Sequence, residues 1–297
     1  MGFSRIGYWL FRTAIKTARA TGLTRPLRKI LGPAAGRMVT GASDPERQHQ
    51  VNGHSMYLAG PGRYPPVDMA MDRFEPATTE LIQSIVSSGM VVLDIGAHAG
   101  YYTLLAARGT GTEGRVYAFE PEPENFKLLT KNIEANGYLN ITPVNLAVSD
   151  QVGTRTLFVT SLDNGRHSMF HHSLPESGQI DVGSITIDKF LEGEGWPTIG
   201  LVKVDVEGAE SEVLDGMREL FSRSTDVKLI IEFNPCLLKG AGVDLLGFLD
   251  EPAKLGFNVQ YIDEQKGAID LTPSQLGPMV ERLVKRENSL NLFCSKK

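Results

Sequence analysis

From about residue 76 onward, short apolar runs alternate with stretches in which apolar residues recur every three or four positions. The runs at 90–95, 115–119, 141–148, 199–206, 227–233 and 257–262 predict strands, and the stretches at 77–88, 100–108, 123–136, 209–221 and 243–255 predict helices. Strands separated by helices pair in parallel, so the pattern predicts an α/β fold built on a doubly wound sheet of about seven strands. A polar stretch at 149–184, which holds the strand-like run TRTLFVT, interrupts the alternation, and the chain closes on a short strand, NLFCS. Residues 41–75 are rich in Gly, Pro and Asp, with GPGRYPP at 60–66, and read as a linker or lead-in to a domain spanning 76–297.

Charge adds a further segment. The net charge is -5, yet residues 1–43 carry eight Lys and Arg and no acid, which leaves -13 on the rest. On a helical wheel of residues 3–19, Arg5, Arg12, Lys16 and Arg19 fall on one side and Phe3, Ile6, Leu10, Phe11, Ala14 and Ala18 on another. Residues 1–40 therefore read as a basic amphipathic extension. Through residues 3–19 it suits peripheral contact with an anionic membrane or, equally, with the protein's own acidic body. A mitochondrial transit peptide would share its acid-poor, Arg-rich composition. Arg12 interrupts the only apolar stretch of this segment, against a secretory signal, and no apolar run reaches the roughly 18 residues of a membrane span. The two cysteines, Cys236 and Cys294, make neither a C-x-x-C site nor a disulfide framework and suit a reducing, cytoplasmic setting. The acidic body gives nucleic acid a poor partner. Oligomeric state leaves no signal.

The sharpest chemical motif is the run Val91 to Thr103, VVLDIGAHAGYYT, a strand that breaks into a glycine-spaced turn and then a helix. Gly96 permits the bend, Gly100 close backbone approach, and the helix start offers N–H groups to an anion. The next strand ends in Phe119-Glu120-Pro121, placing an acid 20 residues past Gly100, where it can accept both ribose hydroxyls of a nucleoside. Asp94 then discriminates between ligands. A dinucleotide pyrophosphate would meet a like charge there, whereas the methionine end of S-adenosylmethionine brings an ammonium. The spacing Asp94-x-Gly96-x-x-x-Gly100 also lacks the third glycine of a dinucleotide turn. A second motif, LVKVDVEGAE at 201–210, sets Lys203, Asp205 and Glu207 on one face of a strand about 6.6 Å apart. Charges inside a Val/Leu strand are costly unless paired or functional, so these three are the catalytic candidates. Glu210 reads as pairing with the following helix N-terminus.

Taken in order, VLDIGAHAGYYT, VYAFEPEPENFKLLTKNIEANG, VNLAVSD, SITIDKFL, LVKVDVEGAESEVLDG and LIIEFNP resemble the FkbM family of S-adenosylmethionine-dependent methyltransferases over about residues 74–263. The resemblance implies a class I, Rossmann-like methyltransferase fold with an antiparallel last strand. It also implies methylation of a hydroxyl on a sugar, lipid-linked glycan or polyketide-type small molecule. By position, Asp94, Gly96, Ala97, His98, Gly100 and Tyr101 would meet the methionine part, Glu120 and Pro121 the ribose, and Ala147 and Val148 the adenine, with Asp150 near its amino group. A hydroxyl acceptor must lose a proton, and Asp205 is the first candidate to take or orient it, with Lys203 holding its charge. The alternative base is His167, His171 or His172 in the segment 161–177. A metal held by Asp205, Glu207 and one of these histidines is the less favoured reading, and no metal is expected. Two other functions remain, an NAD(P)-dependent Rossmann oxidoreductase and a catalytically inactive membrane-surface binding protein.

Overall fold

The computed structural model describes residues 47–58, 66–160, 167–171 and 176–296. The basic segment 3–19 lies outside the described residues, as does His172. The chain divides into compact units at 1–74 and 75–297. In the first, the segment expected to be a linker holds a hairpin of β1 (Gln48–Val51) and β2 (His54–Tyr57) and a short helix α1 (Pro66–Ala70). Its strand character comes from the alternation of Val51, His54 and Met56, which are buried, with exposed or half-buried neighbours. The hairpin turns through Asn52 and Gly53, both at positive φ.

The second unit runs α2 (Pro76–Ile85), β3 (Val91–Ile95), α3 (Tyr101–Thr110), β4 (Arg115–Phe119), α4 (Pro123–Asn136), β5 (Ile141–Val144), β6 (Ala147–Val148), β7 (Gly153–Thr160), β8 (Glu176–Ile185), α5 (Ile187–Gly193), β9 (Ile199–Val204), α6 (Glu210–Asp215), α7 (Arg218–Arg223), β10 (Lys228–Phe233), α8 (Pro235–Gly240), α9 (Leu245–Lys254), β11 (Phe257–Asp263), β12 (Gly267–Asp270), α10 (Pro273–Arg286) and β13 (Leu290–Lys296). Eight strands form the main sheet in the order β12-β11-β13-β10-β9-β3-β4-β5. The strands β5, β4, β3, β9 and β10 are mutually parallel, and β13 enters antiparallel between β10 and β11. The fold is thus α/β and Rossmann-like, with the antiparallel last strand that the resemblance implies. The eighth strand, β12, is the return arm of a hairpin with β11. Val92, Leu93, Val202, Val204, Leu229 and Ile231 are almost fully buried at the sheet's centre, which is why these strands read as continuous apolar runs.

Two expected elements are divided and a third is shortened. The run 141–148 breaks after Val144, and β6 joins a separate three-stranded sheet, β6-β8-β7. Pro143 brings no N–H to the ladder, and the Asn145 amide donates to the carbonyls of Glu120 and Pro121, holding the break against the tip of β4. The helix expected at 209–221 is two short helices parted at Gly216, where a Cβ would stand 2.2 Å from the Ser149 carbonyl oxygen. The new start after the break is capped by Asp188, which accepts from the N–H groups of Glu219 and Leu220. The helix expected at 243–255 covers only 245–254 and is preceded by α8, capped by Asn234.

Candidate active site

The parallel strands end along one edge of the sheet, and a crevice lies there, about 560 Å³ with the solvent at its mouth counted. It is lined by the turn after β3 (Gly96, His98), the tip of β4 (Glu120, Pro121), Leu146 to Val148, and the segment after β9 (Asp205, Val206, Glu207). A crevice at the carboxyl ends of the strands is where an open α/β sheet takes its ligand.

Backbone geometry fixes the floor. Gly96 (φ 83°) stands so close to the next strand that a Cβ would lie 1.8 Å from the carbonyl oxygen of Asp205. The Asp205 N–H in turn donates to Ile95. Gly96 and Ala97 both donate to the Phe119 carbonyl, His98 (φ 49°) donates to Glu120 Oε2 at 2.8 Å, and Gly100 (φ 88°) donates to Ala97. The N–H groups of the turn at these four positions are therefore engaged within the chain. The turn is held rigidly as a result, and it contributes shape and the aim of its side chains.

Glu120 is buried, accepting from the backbone of His98 and Glu122 and from the Asn125 side chain; burial pushes its carboxyl up to about 7 against those bonds. Asp94 lies one layer below the lining, bonded by the Thr103 hydroxyl, and burial raises it to about 6. Tyr101 is also set back, with its hydroxyl on Thr79. Pro121, Ala147 and Val148 line the crevice, but Asp150 does not. It is exposed beyond the point where β6 turns away into the small sheet, so it stands apart from the cofactor positions assigned by resemblance.

On the other side, Lys203 is 2% exposed and pairs in register with Asp94 across β3 and β9. Its ammonium donates to Asp205 Oδ2 at 3.2 Å and to the Val204 carbonyl, and lies 5.4 Å from the centre of the Tyr102 ring. Burial works against this charge, but Asp205, Glu75 and Glu232 outweigh it and hold the ammonium above its ordinary value. Glu207 sits at φ 52°, and its carbonyl accepts from the Ser168 hydroxyl. Glu210 accepts from Val206 and Gly208 of the turn before α6 rather than from a later residue of the helix it begins, and burial raises its carboxyl to about 7. Glu232 of β10 is raised well above the carboxylate range by burial and by Asp205, Glu207 and Glu210.

The small sheet supplies Leu157, and the segment after β7 supplies His167 and Met169. Of the two described loop histidines, His167 is brought to the crevice. Its Nδ1 accepts from the Thr160 N–H at 3.2 Å, which leaves the proton of the neutral ring on Nε2, a donor rather than a base. His171 is exposed, packed at a tilt against Phe158 and bonded to Glu176. Asn125, Leu146, Leu157 and Met169 are lining residues that sequence reasoning missed. For Asn125 a signal existed, its place three residues after the capping Glu122, where the helix start faces back toward the tip of β4.

The family model described as the methyltransferase FkbM domain matches residues 94–258. A hexuronic acid methyltransferase, AglP, of Haloferax volcanii is 32% identical over 129 residues, covering 43% of this chain and 49% of that protein. The 31-O-demethyl-FK506 methyltransferase FkbM of Streptomyces tacrolimicus is 26% identical over 217 residues, covering 61% of this chain and 82% of that protein. The chain thus spans about half the length of the Haloferax relative. Among solved structures, a methyltransferase FkbM from Methylobacillus flagellatus overlaps 76% of this chain and 52% of its own at 15% identity, with a TM-score of 0.42.

Proposed function

Since the chain belongs to the methyltransferase FkbM family, we propose that its crevice binds S-adenosylmethionine and directs the methyl group to a hydroxyl of a sugar, a lipid-linked glycan or a polyketide-type small molecule. One observation carries the donor assignment. The buried carboxylate of Glu120 shares a single crevice with the Gly96 turn, apolar walls at Leu146 to Val148, and Asp205 opposite. That is the order ribose, methionine, adenine and acceptor require. Family membership replaces the dinucleotide oxidoreductase reading. The acceptor class draws support from the two named relatives, which are a hexuronic acid and a 31-O-demethyl-FK506 methyltransferase.

When bound, the sulfonium supplies an electrophilic methyl group. The residues of this chain then have to hold an acceptor oxygen in line with it and manage one proton. Asp205, fixed by Lys203 and facing the crevice, orients the hydroxyl and draws its proton as the oxygen–carbon bond forms and the carbon–sulfur bond breaks. The charge segregation of residues 3–19 supports a second attachment, of the protein to an anionic lipid surface from which a lipid-linked acceptor would be met.

Calorimetric titration with S-adenosylhomocysteine tests the donor site. Binding is expected in the wild type and should weaken ten- to a hundredfold in Glu120→Gln, which removes a charged hydrogen-bond partner worth about 1.5–3 kcal/mol. Wild-type affinity in this variant would overturn the assignment.

A further inference from the structure

Glu75 is an acid that neither donor binding nor its own helix uses. It stands at the N-cap of α2, where an acid ordinarily accepts from the N–H groups of the first turn, yet its side chain makes no such bond. Its backbone is left-handed (φ 37°), a conformation that residues with a Cβ rarely take. The carboxylate turns instead to two other elements, and Oε2 accepts from the Tyr102 hydroxyl of α3 at 2.6 Å and from the Asn291 amide of β13 at 2.8 Å. The ring of the same tyrosine lies 5.4 Å from the buried ammonium of Lys203, which donates to Asp205 at 3.2 Å. Glu75 and Asp205 thus share one buried cation, Asp205 by a direct bond and Glu75 through space beside Tyr102.

We propose that Glu75 is a positioning residue for methyl transfer, the standing counter-ion that keeps Lys203 balanced while Asp205 gains the acceptor proton. The inference rests on the reading of Asp205 as the group that draws that proton. In the step, the acceptor O–H bond breaks toward Asp205, its oxygen bonds the methyl carbon, and the carbon–sulfur pair returns to sulfur. Asp205 then loses its negative charge, and Lys203 loses its bonded counter-ion where water cannot replace it. Glu75 remains. Burial raises its carboxyl, Lys203 opposes the rise and Asp205 adds to it, so neutralising Asp205 favours the Glu75 anion at the moment when Lys203 needs it. With no second acid, Lys203 would favour the Asp205 anion alone and make it a poorer base. Glu232 shares the same ammonium from β10, so the contribution of Glu75 is a part of the balance.

The test is the pH profile of methyl transfer in Glu75→Gln, measured with labelled S-adenosylmethionine and extracted acceptors, beside titration with S-adenosylhomocysteine. The rate is expected to fall about tenfold or more at neutral pH, and its acidic limb to move about one pH unit lower, while S-adenosylhomocysteine affinity stays within about twofold of the wild type. Asp94 of β3, Glu210 of α6 and Glu232 of β10 also face Asp205, but they are common to both proteins, so the difference isolates Glu75. A wild-type rate, a lower rate with the limb unmoved, or affinity lost in step with the rate overturns the proposal. Should Glu75→Gln lose its folded circular dichroism, Tyr102→Phe makes the same comparison, since it takes away the shorter bond to Glu75 and keeps the ring beside Lys203. Failure of the methyl-transfer reading has its own signature, a wild type that takes up no S-adenosylhomocysteine and transfers no label, and the proposal falls with it.

Discussion

Burial is the largest influence on three carboxyls around the crevice, and it raises Asp94 to about 6 and both Glu120 and Glu210 to about 7. For Glu120 the consequence is a pH-dependent affinity. Its ionised form accepts the ribose hydroxyls, so S-adenosylhomocysteine should bind about tenfold more tightly at pH 8 than at pH 6, and Glu120→Gln should flatten that profile as well as weaken binding. For Glu210 the consequence is stability. Its folded value lies above its unfolded one, so between about pH 4.5 and pH 7 the native state holds the extra proton and stability falls as pH rises through that window. Urea unfolding at pH 5 and pH 8 should show Glu210→Gln gaining on the wild type by about 1–3 kcal/mol at the higher pH, and an unchanged difference would contradict it. At Asp205 the expectation concerns turnover. Asp205→Asn should keep donor binding and lose two to four orders of magnitude in rate, on the order expected of a lost proton acceptor, measured with labelled methyl transfer to extracted acceptors. Residues that announce themselves in the chain are those of unusual type for their place, a Lys and an Asp within Val204's strand and its end, or glycines at a turn. Asn125 and Met169 are ordinary for their elements and become lining only through the path of the chain, so no local pattern reveals them.

Among the elements, the break between α6 and α7 shows what a periodic reading overlooks. Apolar spacing continues through 209–221, with Val213, Leu214, Met217, Leu220 and Phe221 all buried, so the pattern itself gives no reason to stop. The interruption comes from Gly216 lying against the Ser149 carbonyl, a contact across the fold. Gly216→Ala should therefore push two backbones apart, costing about 1–3 kcal/mol and lowering the melting temperature by roughly 2–10 °C. Calorimetry reads this directly, and an unshifted transition would mean that the two helices adjust freely. The central strands and the turn after β3 were legible because burial on both faces leaves a continuous apolar run. Neither β8 nor α10 was. The first half of β8 is exposed, and α10 buries only Met279 and Leu283 fully, so its face was too narrow to stand out.

For the whole molecule, charge is the coarse variable. The first 43 residues are basic and the remainder acidic, so the two parts respond oppositely to a negatively charged surface. Removing residues 1–40 should abolish sedimentation with anionic liposomes and leave S-adenosylhomocysteine affinity unchanged, and added salt should release the full-length protein because screening shortens its reach to about 8–10 Å. Persistent sedimentation after the deletion would contradict membrane attachment through that segment. No helix among the described residues is long and apolar enough to cross a membrane. The three-stranded sheet has a different consequence. Among the described residues its strands pair with none of the strands of the main sheet, yet it places Leu157 in the crevice wall and is tied to α6 by the Arg155–Glu212 ion pair. In evolutionary time this makes the hairpin of β7 and β8 a replaceable part. The far end of that hairpin can change without disturbing the tips of β3, β4 and β9, whereas its base, where β8 pairs with Ala147 and Val148 of β6, is bound to the crevice wall, so descendants of one ancestor can vary the one while inheriting the other.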